Sequence, residues 1–293
     1  MPSRMLSRWP DRLPFVMVLV ALVSVQGGGV ISVRLFDQIE PAGLVALRSF
    51  FAAAVLLGVT RPRLRGRSAA AWTSVGLLGI TLACLNSLHY EAVNLIPVGP
   101  AVTLELLGPL GLYLVFARRW SALIWAVLAF SGVVLMQGLA VMGPNAVLGV
   151  FVALLDGVCW ASYIVCSRWA GSMFKSVEAL AIATAISALV TVPRGALIAG
   201  GALLEPKLVL AGAGIAMIAN VIPNGLEMLS LKRIPGEIFS VMMAMAPVIA
   251  SVLGFLILGQ SLTWSTVVGM TLVVVATASA SLVSPSNQGS TKT

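Results

Sequence analysis

The sequence predicts an all-α integral membrane protein of ten transmembrane helices, arranged as two inverted five-helix repeats. Three observations carry this: scarcity of charge, the spacing of the apolar stretches, and a doubled proline pattern. Of 293 residues, 59% are hydrophobic and 10% charged, against roughly 25% charged in a soluble domain. Apolar stretches at 14–35, 42–60, 69–92, 97–117, 120–139, 146–168, 177–198, 208–231, 236–258 and 263–283 each approach the roughly 20 residues a helix needs to cross the hydrocarbon. Pro97 and Pro109 are twelve residues apart, as are Pro235 and Pro247, and each pair precedes a span carrying a glycine at a similar offset, Gly132 and Gly269. Five spans per half is an odd number, so the halves enter the membrane in opposite senses, a pattern common in transporters.

The halves are residues 14–143 and 144–284, between cytoplasmic tails 1–13 and 285–293. Basic residues set this orientation. Arg4, Arg8, Arg12, Arg61, Arg63, Arg65, Arg67, Arg118, Arg119, Arg168, Lys175, Lys232, Arg233 and Lys292 fall on one side, against Arg34, Arg194 and Lys207 on the other. The net charge of +8 is thereby read as topology rather than nucleic-acid binding. Span 1 follows a basic stretch as a signal peptide does, but it is long and lacks a small-x-small cleavage site, so it is expected to be retained. Cys84, Cys159 and Cys166 lie within spans without C-x-x-C spacing, which predicts neither disulfide nor metal. The polar end, 284–293, reads as disordered.

Ionisable and amide residues inside the spans mark the candidate site, because each is costly in lipid unless it faces water or a partner. Glu105 lies in an otherwise uncharged stretch, and Pro109 removes the donor that its backbone carbonyl would meet. Counting about 1.5 Å of rise per residue, Arg48, Glu105, Asp156 and Gln26 reach depths at which all four can surround one cavity. Arg48 offers a fork for a carboxylate, and Glu105 and Asp156 can hold an ammonium group or carry a proton. Arg48 paired permanently with Glu105 or Asp156, as helix glue, is the competing reading. Asn86, His89 and Tyr90 share a helical face by their i, i+3, i+4 spacing near the outer surface, with Glu91 pointing elsewhere as an interfacial residue. Asn220, Asn224 and Glu227 form a polar stripe in span 8, where Pro223 frees the carbonyl of Ala219. Glu227 is read either as a gate or as neutralised by Lys232 or Arg233. Trp160 and Tyr163 are candidate cavity walls, while Gly27, Gly28, Gly29 and Gly254 suit close helix approach.

Gly99-Pro-Ala-Val-Thr-Leu-Glu-Leu-Leu-Gly-Pro-Leu110, together with Ser24-Val-Gln-Gly-Gly, Ala46-Leu-Arg48, Cys159-Trp160-Ala161 and Leu226-Glu-Met-Leu-Ser-Leu-Lys-Arg-Ile-Pro235, resembles the drug/metabolite transporter superfamily. Within it the chain is similar to the EamA family, its threonine/homoserine exporter type in particular. The resemblance covers about residues 14–283. It implies export of small metabolites, amino acids among them, across the bacterial inner membrane by alternating access, in exchange for protons, with Arg48 and Glu105 on the central cavity. Ala246-Pro247 and Gly259-Gln260 stand where such relatives tend to carry Glu-Pro and Gly-Glu, and His89 and Glu91 replace apolar residues.

The sequence thus points to a proton-coupled exporter of a small zwitterion. Gln26, Arg48, Asn86, Tyr90, Glu105, Asp156, Trp160 and Asn224 are its substrate-binding candidates, Glu105 and Asp156 its proton carriers, and Pro109, Pro223, Pro247 and Glu227 its kink and gate positions. Efflux of apolar cations by the same fold is the alternative. An intramembrane enzyme is disfavoured: one histidine cannot build a two-histidine zinc helix, no Gly-x-Ser-x-Gly elbow occurs, and Asp156 has no second aspartate within any span. No cofactor or metal is expected, and the partners are the small-molecule substrate, protons and the bilayer.

Overall fold

The computed structural model describes residues 13–117, 120–136, 145–231, 233–234 and 236–283, and the regular structure among these is helical. The helices are α1 (Leu13–Val33), α2 (Pro41–Thr60), α3 (Ala69–Leu95), α4 (Val98–Glu105), α5 (Leu107–Ala117), α6 (Trp120–Met136), α7 (Ala146–Met173), α8 (Ser176–Ala199), α9 (Pro206–Ala216), α10 (Ile222–Leu231), α11 (Gly236–Met243), α12 (Ala246–Leu258) and α13 (Trp264–Val283). A 3-10 turn (Gly200–Leu204) follows α8, and a π turn (Met217–Val221) joins α9 to α10. Local signals explain several ends. Pro41 begins α2, where its missing N–H is not needed. Ser68 caps α3 by accepting from the Ala71 N–H at 3.2 Å. Gly259 ends α12 with a φ of 68°, a conformation open to glycine.

With 21 residues, α1 spans about 30 Å, the thickness of the hydrocarbon. Its Phe15, Val16, Leu19 and Val20 are exposed, as are Val147, Leu148 and Phe151 on α7. Water would penalise such surfaces, whereas lipid does not. Seven stretches are long and apolar enough to cross a membrane: Leu13–Val33, Pro41–Thr60, Ala69–Leu95, Ala146–Met173, Val177–Leu204, Pro206–Glu227 and Val241–Leu258. The other three expected spans differ for local reasons. The stretch 97–117 is broken into α4 and α5, 120–139 contains the 17-residue α6, and 263–283 holds α13, whose apolar part is Trp264–Ser279. Residues 1–12, Arg118, Arg119, 137–144, Lys232, Pro235 and 284–293 lie outside the described residues, together with the orientation and tail expectations that rest on them.

Helix breaks coincide with three prolines. Pro109 cannot donate to the carbonyl of Glu105, and α4 stops at Glu105 before α5 resumes at Leu107. Pro223 likewise leaves Ala219, which sits inside the π turn. Pro247 leaves Met243, where α11 ends, and Ala244 and Met245 turn into α12. Pro193, in contrast, is accommodated inside α8 without a break.

The bundle packs α2 on α8, α3 on α7, α1 on α10, α4 on α12, and α6 on α13. Small residues let these backbones meet. A Cβ placed on Gly132 would lie 2.5 Å from the Gly269 carbonyl oxygen, so the two glycines singled out by the doubled proline pattern face each other across α6 and α13. A Cβ on Gly108 would fall on the Gly157 carbonyl, and one on Gly157 would come within 3.0 Å of the Glu105 carbonyl oxygen. Because these contacts are to backbone, no side-chain rotation relieves them. The break between α4 and α5 is therefore pressed directly onto α7, beside Asp156.

Gly108→Val should force α5 away from α7 and lower stability by about 1–3 kcal/mol, the usual range for overpacking. Gly111→Val, with nothing within 4 Å of its Cβ, supplies the control. Thermal unfolding of the two detergent-solubilised variants should show a clear loss for the first and a much smaller one for the second.

Candidate functional site

Polar side chains from several helical segments converge on one cavity of about 260 Å³. From α1 it receives Gln26, from α2 Arg48 and Ser49, and from α3 Asn86 and His89. Glu105 arrives from the end of α4, Asp156, Trp160 and Tyr163 from α7, and Asn220, Asn224 and Glu227 from the π turn and α10. Apolar walls are completed by residues such as Leu22, Val102, Met243 and Ala246. Gln26, Arg48, Asn86, Glu105 and Asp156 are all buried, so each depends on partners or on the contents of the cavity for its hydrogen bonding.

Arg48 is held by a directional chain of donors. Its guanidinium donates to Asn86 Oδ1 and, at 2.9 Å, to the Tyr90 hydroxyl. The Tyr90 hydroxyl lies 2.9 Å from Ser32 Oγ, which donates at 2.7 Å to the Gly28 carbonyl. The guanidinium carbon also lies 4.9 Å from the Tyr90 ring centroid, within cation–π range. Arg48 Nε is buried and has no hydrogen-bond partner among the described residues. Tyr90 itself is fully buried and does not line the cavity. This corrects its expected place as a substrate contact. One residue beyond His89, it turns into the packing between α1 and α2, and reaches the site only through Arg48.

The acidic side is organised differently. His89 Nδ1 is 2.6 Å from Glu105 Oε1 and 3.8 Å from Asp156 Oδ2. The two carboxyl groups act directly on one another, and Asp156 is only 1% exposed. No ion pair joins Arg48 to either acid among the described residues; the acids meet His89 instead. Glu91 pairs with Arg194 at 3.1 Å, away from the cavity. Pro109, Pro223 and Pro247 shape the backbone around the site without lining it, whereas Trp160, Asn224 and Glu227 line it. The proposed neutralisation of Glu227 by Lys232 involves a residue outside the described ones.

The two ends of the bundle differ. At one, Arg34 donates to the Ile257 carbonyl, Gln260 accepts from the Val98 N–H at 3.2 Å, and Lys207 donates to Gln38 at 3.2 Å. Toward the other, the cavity lining reaches Leu56, Leu180 and Glu227. There Arg67 pairs with Glu178 at 3.0 Å and stands over the Phe174 ring at 4.5 Å, tying the start of α3 to the α7–α8 connection.

Residues 147–282 match the model of the EamA-like transporter family. The chain is 36% identical over 262 residues to the threonine/homoserine exporter RhtA of Escherichia coli K12, covering 88% of each chain. It is 33% identical over 277 residues to the threonine/homoserine exporter RhtA of Salmonella typhimurium LT2, covering 93% of this chain and 92% of that one. A solved crystal structure shares the fold with a TM-score of 0.59 at 19% identity, over 91% of this chain and 98% of the other. These named relatives are transporters, not enzymes.

Tyr90→Phe should remove the acceptor of one Arg48 N–H and the bridge to Ser32, leaving buried polar groups unsatisfied. The expected loss is about 1–3 kcal/mol, checked by thermal unfolding, with Phe36→Leu as the control for lost ring packing on Tyr90.

Proposed function

We propose that this chain, which belongs to the EamA-like transporter family, exports a small zwitterionic metabolite of the amino-acid class, threonine and homoserine being the leading candidates. The observation that carries the proposal is the charge layout of the single cavity described above. Arg48 is held by neutral partners on one side, and Glu105 and Asp156 stand on the other with no guanidinium engaged to them. A substrate carboxylate takes the remaining donors of Arg48, and its ammonium group meets the acids. The names of the two exporters support the choice of amino acid. A cavity of about 260 Å³ lies below the roughly 300–1,000 Å³ of sites for drug-sized ligands, which weighs against efflux of bulky apolar cations.

Alternating access follows from two inverted halves, residues 14–143 and 144–284. That relation is supported by the reciprocal packing of α1 on α10 and α3 on α7, by the Gly132–Gly269 contact, and by the paired breaks before Leu107 and Ala246. With both termini cytoplasmic, as the positive-inside rule requires, the cavity lining continues toward the cytoplasm. The Arg34–Ile257 and Gln260–Val98 contacts then close the outer end. The conformation is thereby a loading state for an exporter of the bacterial inner membrane. Glu105 and Asp156 are the proton carriers. Release of substrate outward is coupled to protonation of one of them, and His89, hydrogen-bonded to Glu105 and 3.8 Å from Asp156, is the group through which they communicate.

In proteoliposomes, Arg48→Ala should reduce threonine or homoserine flux roughly 10–100-fold, the equivalent of losing a charged hydrogen bond of about 1.5–3 kcal/mol. Arg48→Lys should not restore it, because a point charge does not reproduce the fork. Glu105→Gln should uncouple flux from an imposed proton gradient. Full gradient-driven exchange in Glu105→Gln would remove this residue from the coupling role.

A further inference from the structure

His89, Glu105 and Asp156 come from three different helices, yet the imidazole nitrogen and one oxygen of each carboxyl lie within 4.8 Å of one another. Asp156 is 1% exposed, and its Oδ1 has no hydrogen-bond partner among the described residues. The nearest guanidinium does not fill that role, since Arg48 is turned to Asn86 and Tyr90. Two carboxyls thus share a buried place with one imidazole as their common neighbour. Desolvated anions in such a place are strongly unfavourable without a cation or proton between them.

We propose that these three side chains bind a divalent transition-metal ion of the Zn²⁺ class. One imidazole and two carboxylates form the mixed nitrogen–oxygen set that suits Zn²⁺, Co²⁺ or Mn²⁺; Ca²⁺ prefers six or more oxygens and Mg²⁺ keeps most of its waters. The divalent charge balances both carboxylates while the imidazole contributes a neutral lone pair. Donors placed 2.0–2.2 Å from a tetrahedral ion stand roughly 3.3 Å apart. The 2.6 Å separation of His89 Nδ1 and Glu105 Oε1 is shorter than this and the 3.8 Å separation from Asp156 Oδ2 slightly longer. The ion therefore replaces the His89–Glu105 hydrogen bond, with side-chain shifts of about an ångström, and its remaining coordination position faces the cavity. An ion held there occupies the carboxylates assigned above to the substrate ammonium, so it inhibits transport. This second consequence rests on the exporter reading; the binding does not.

Tag-free protein in detergent, titrated with Co²⁺, should bind one ion per chain with the visible d–d absorption of a four- or five-coordinate nitrogen–oxygen site, displaceable by Zn²⁺. His89→Gln and Asp156→Asn should each weaken binding by about tenfold or more. Because the chain has a single histidine, the wild type also provides a test that needs no variant: Zn²⁺ should block carbethoxylation of His89, read by mass spectrometry. Unchanged Co²⁺ affinity in a folded His89→Gln protein, a sulfur-to-cobalt charge-transfer band, or carbethoxylation indifferent to Zn²⁺ would overturn the site. In proteoliposomes Zn²⁺ should inhibit threonine flux. Binding at His89 without inhibition would leave the metal site standing and remove the substrate ammonium from these carboxylates.

Discussion

The backbone contact between Gly157 and the break after Glu105 sets the geometry of the whole site. Pro109 withholds a donor from the Glu105 carbonyl, α4 ends there, and the absence of side chains at Gly108 and Gly157 lets α7 lie on the interruption. Asp156 is thereby brought against Glu105, two acids from segments 51 positions apart in sequence. From α3, His89 joins the two acids, 2.6 Å from Glu105 and 3.8 Å from Asp156. On the far side Arg48 is not drawn into this cluster because Asn86 and Tyr90 already hold it. Close packing against α7 and a neutral clamp on Arg48 leave the guanidinium and the two acids on one small cavity without a direct ion pair among the described residues.

Under the proposed two-half arrangement, this layout would give the halves unequal tasks. Glu105 ends α4 and Met243 ends α11, both ahead of a proline-linked break and both on the cavity wall. Ala246, beside that break, also lines the wall without a charge. Under the repeat relation the broken backbone is present twice and the carboxylate once. Under the proposed function the break serves movement, and the charge serves recognition and coupling.

Much of the site was legible in the sequence because a charge inside an apolar span has few innocent explanations. Gln26, Arg48, Glu105 and Asp156 were placed at cavity depth by counting helical rise, and they line one cavity. His89 escaped as a cavity residue for a specific reason. The hydropathy boundary ended span 3 at residue 92, whereas α3 continues to Leu95, which carries His89 about 4.5 Å deeper, level with Glu105. The triad it forms has no linear spacing, since each member sits on a different helix, so a search for metal-ligand motifs passes over it. Tyr90 illustrates the opposite limit. Helical periodicity put it on the face of Asn86 and His89, but which neighbour covers that part of the face is decided by α1 and α2, far away in sequence. The span at 97–117 was blurred because the break ahead of Pro109 divides it into α4 and α5, each too short to cross a membrane alone.

Under the proposed function, Arg48 and the Glu105–Asp156 pair stand apart so that a zwitterion can bridge them. An experimental structure of the protein in nanodiscs with L-homoserine tests this most directly. The prediction is ligand density within hydrogen-bond distance of Arg48 at one end and of Glu105 or Asp156 at the other, with Tyr90 still holding Arg48 from behind. Arg48 found in a direct ion pair with either acid, and homoserine elsewhere, would contradict it.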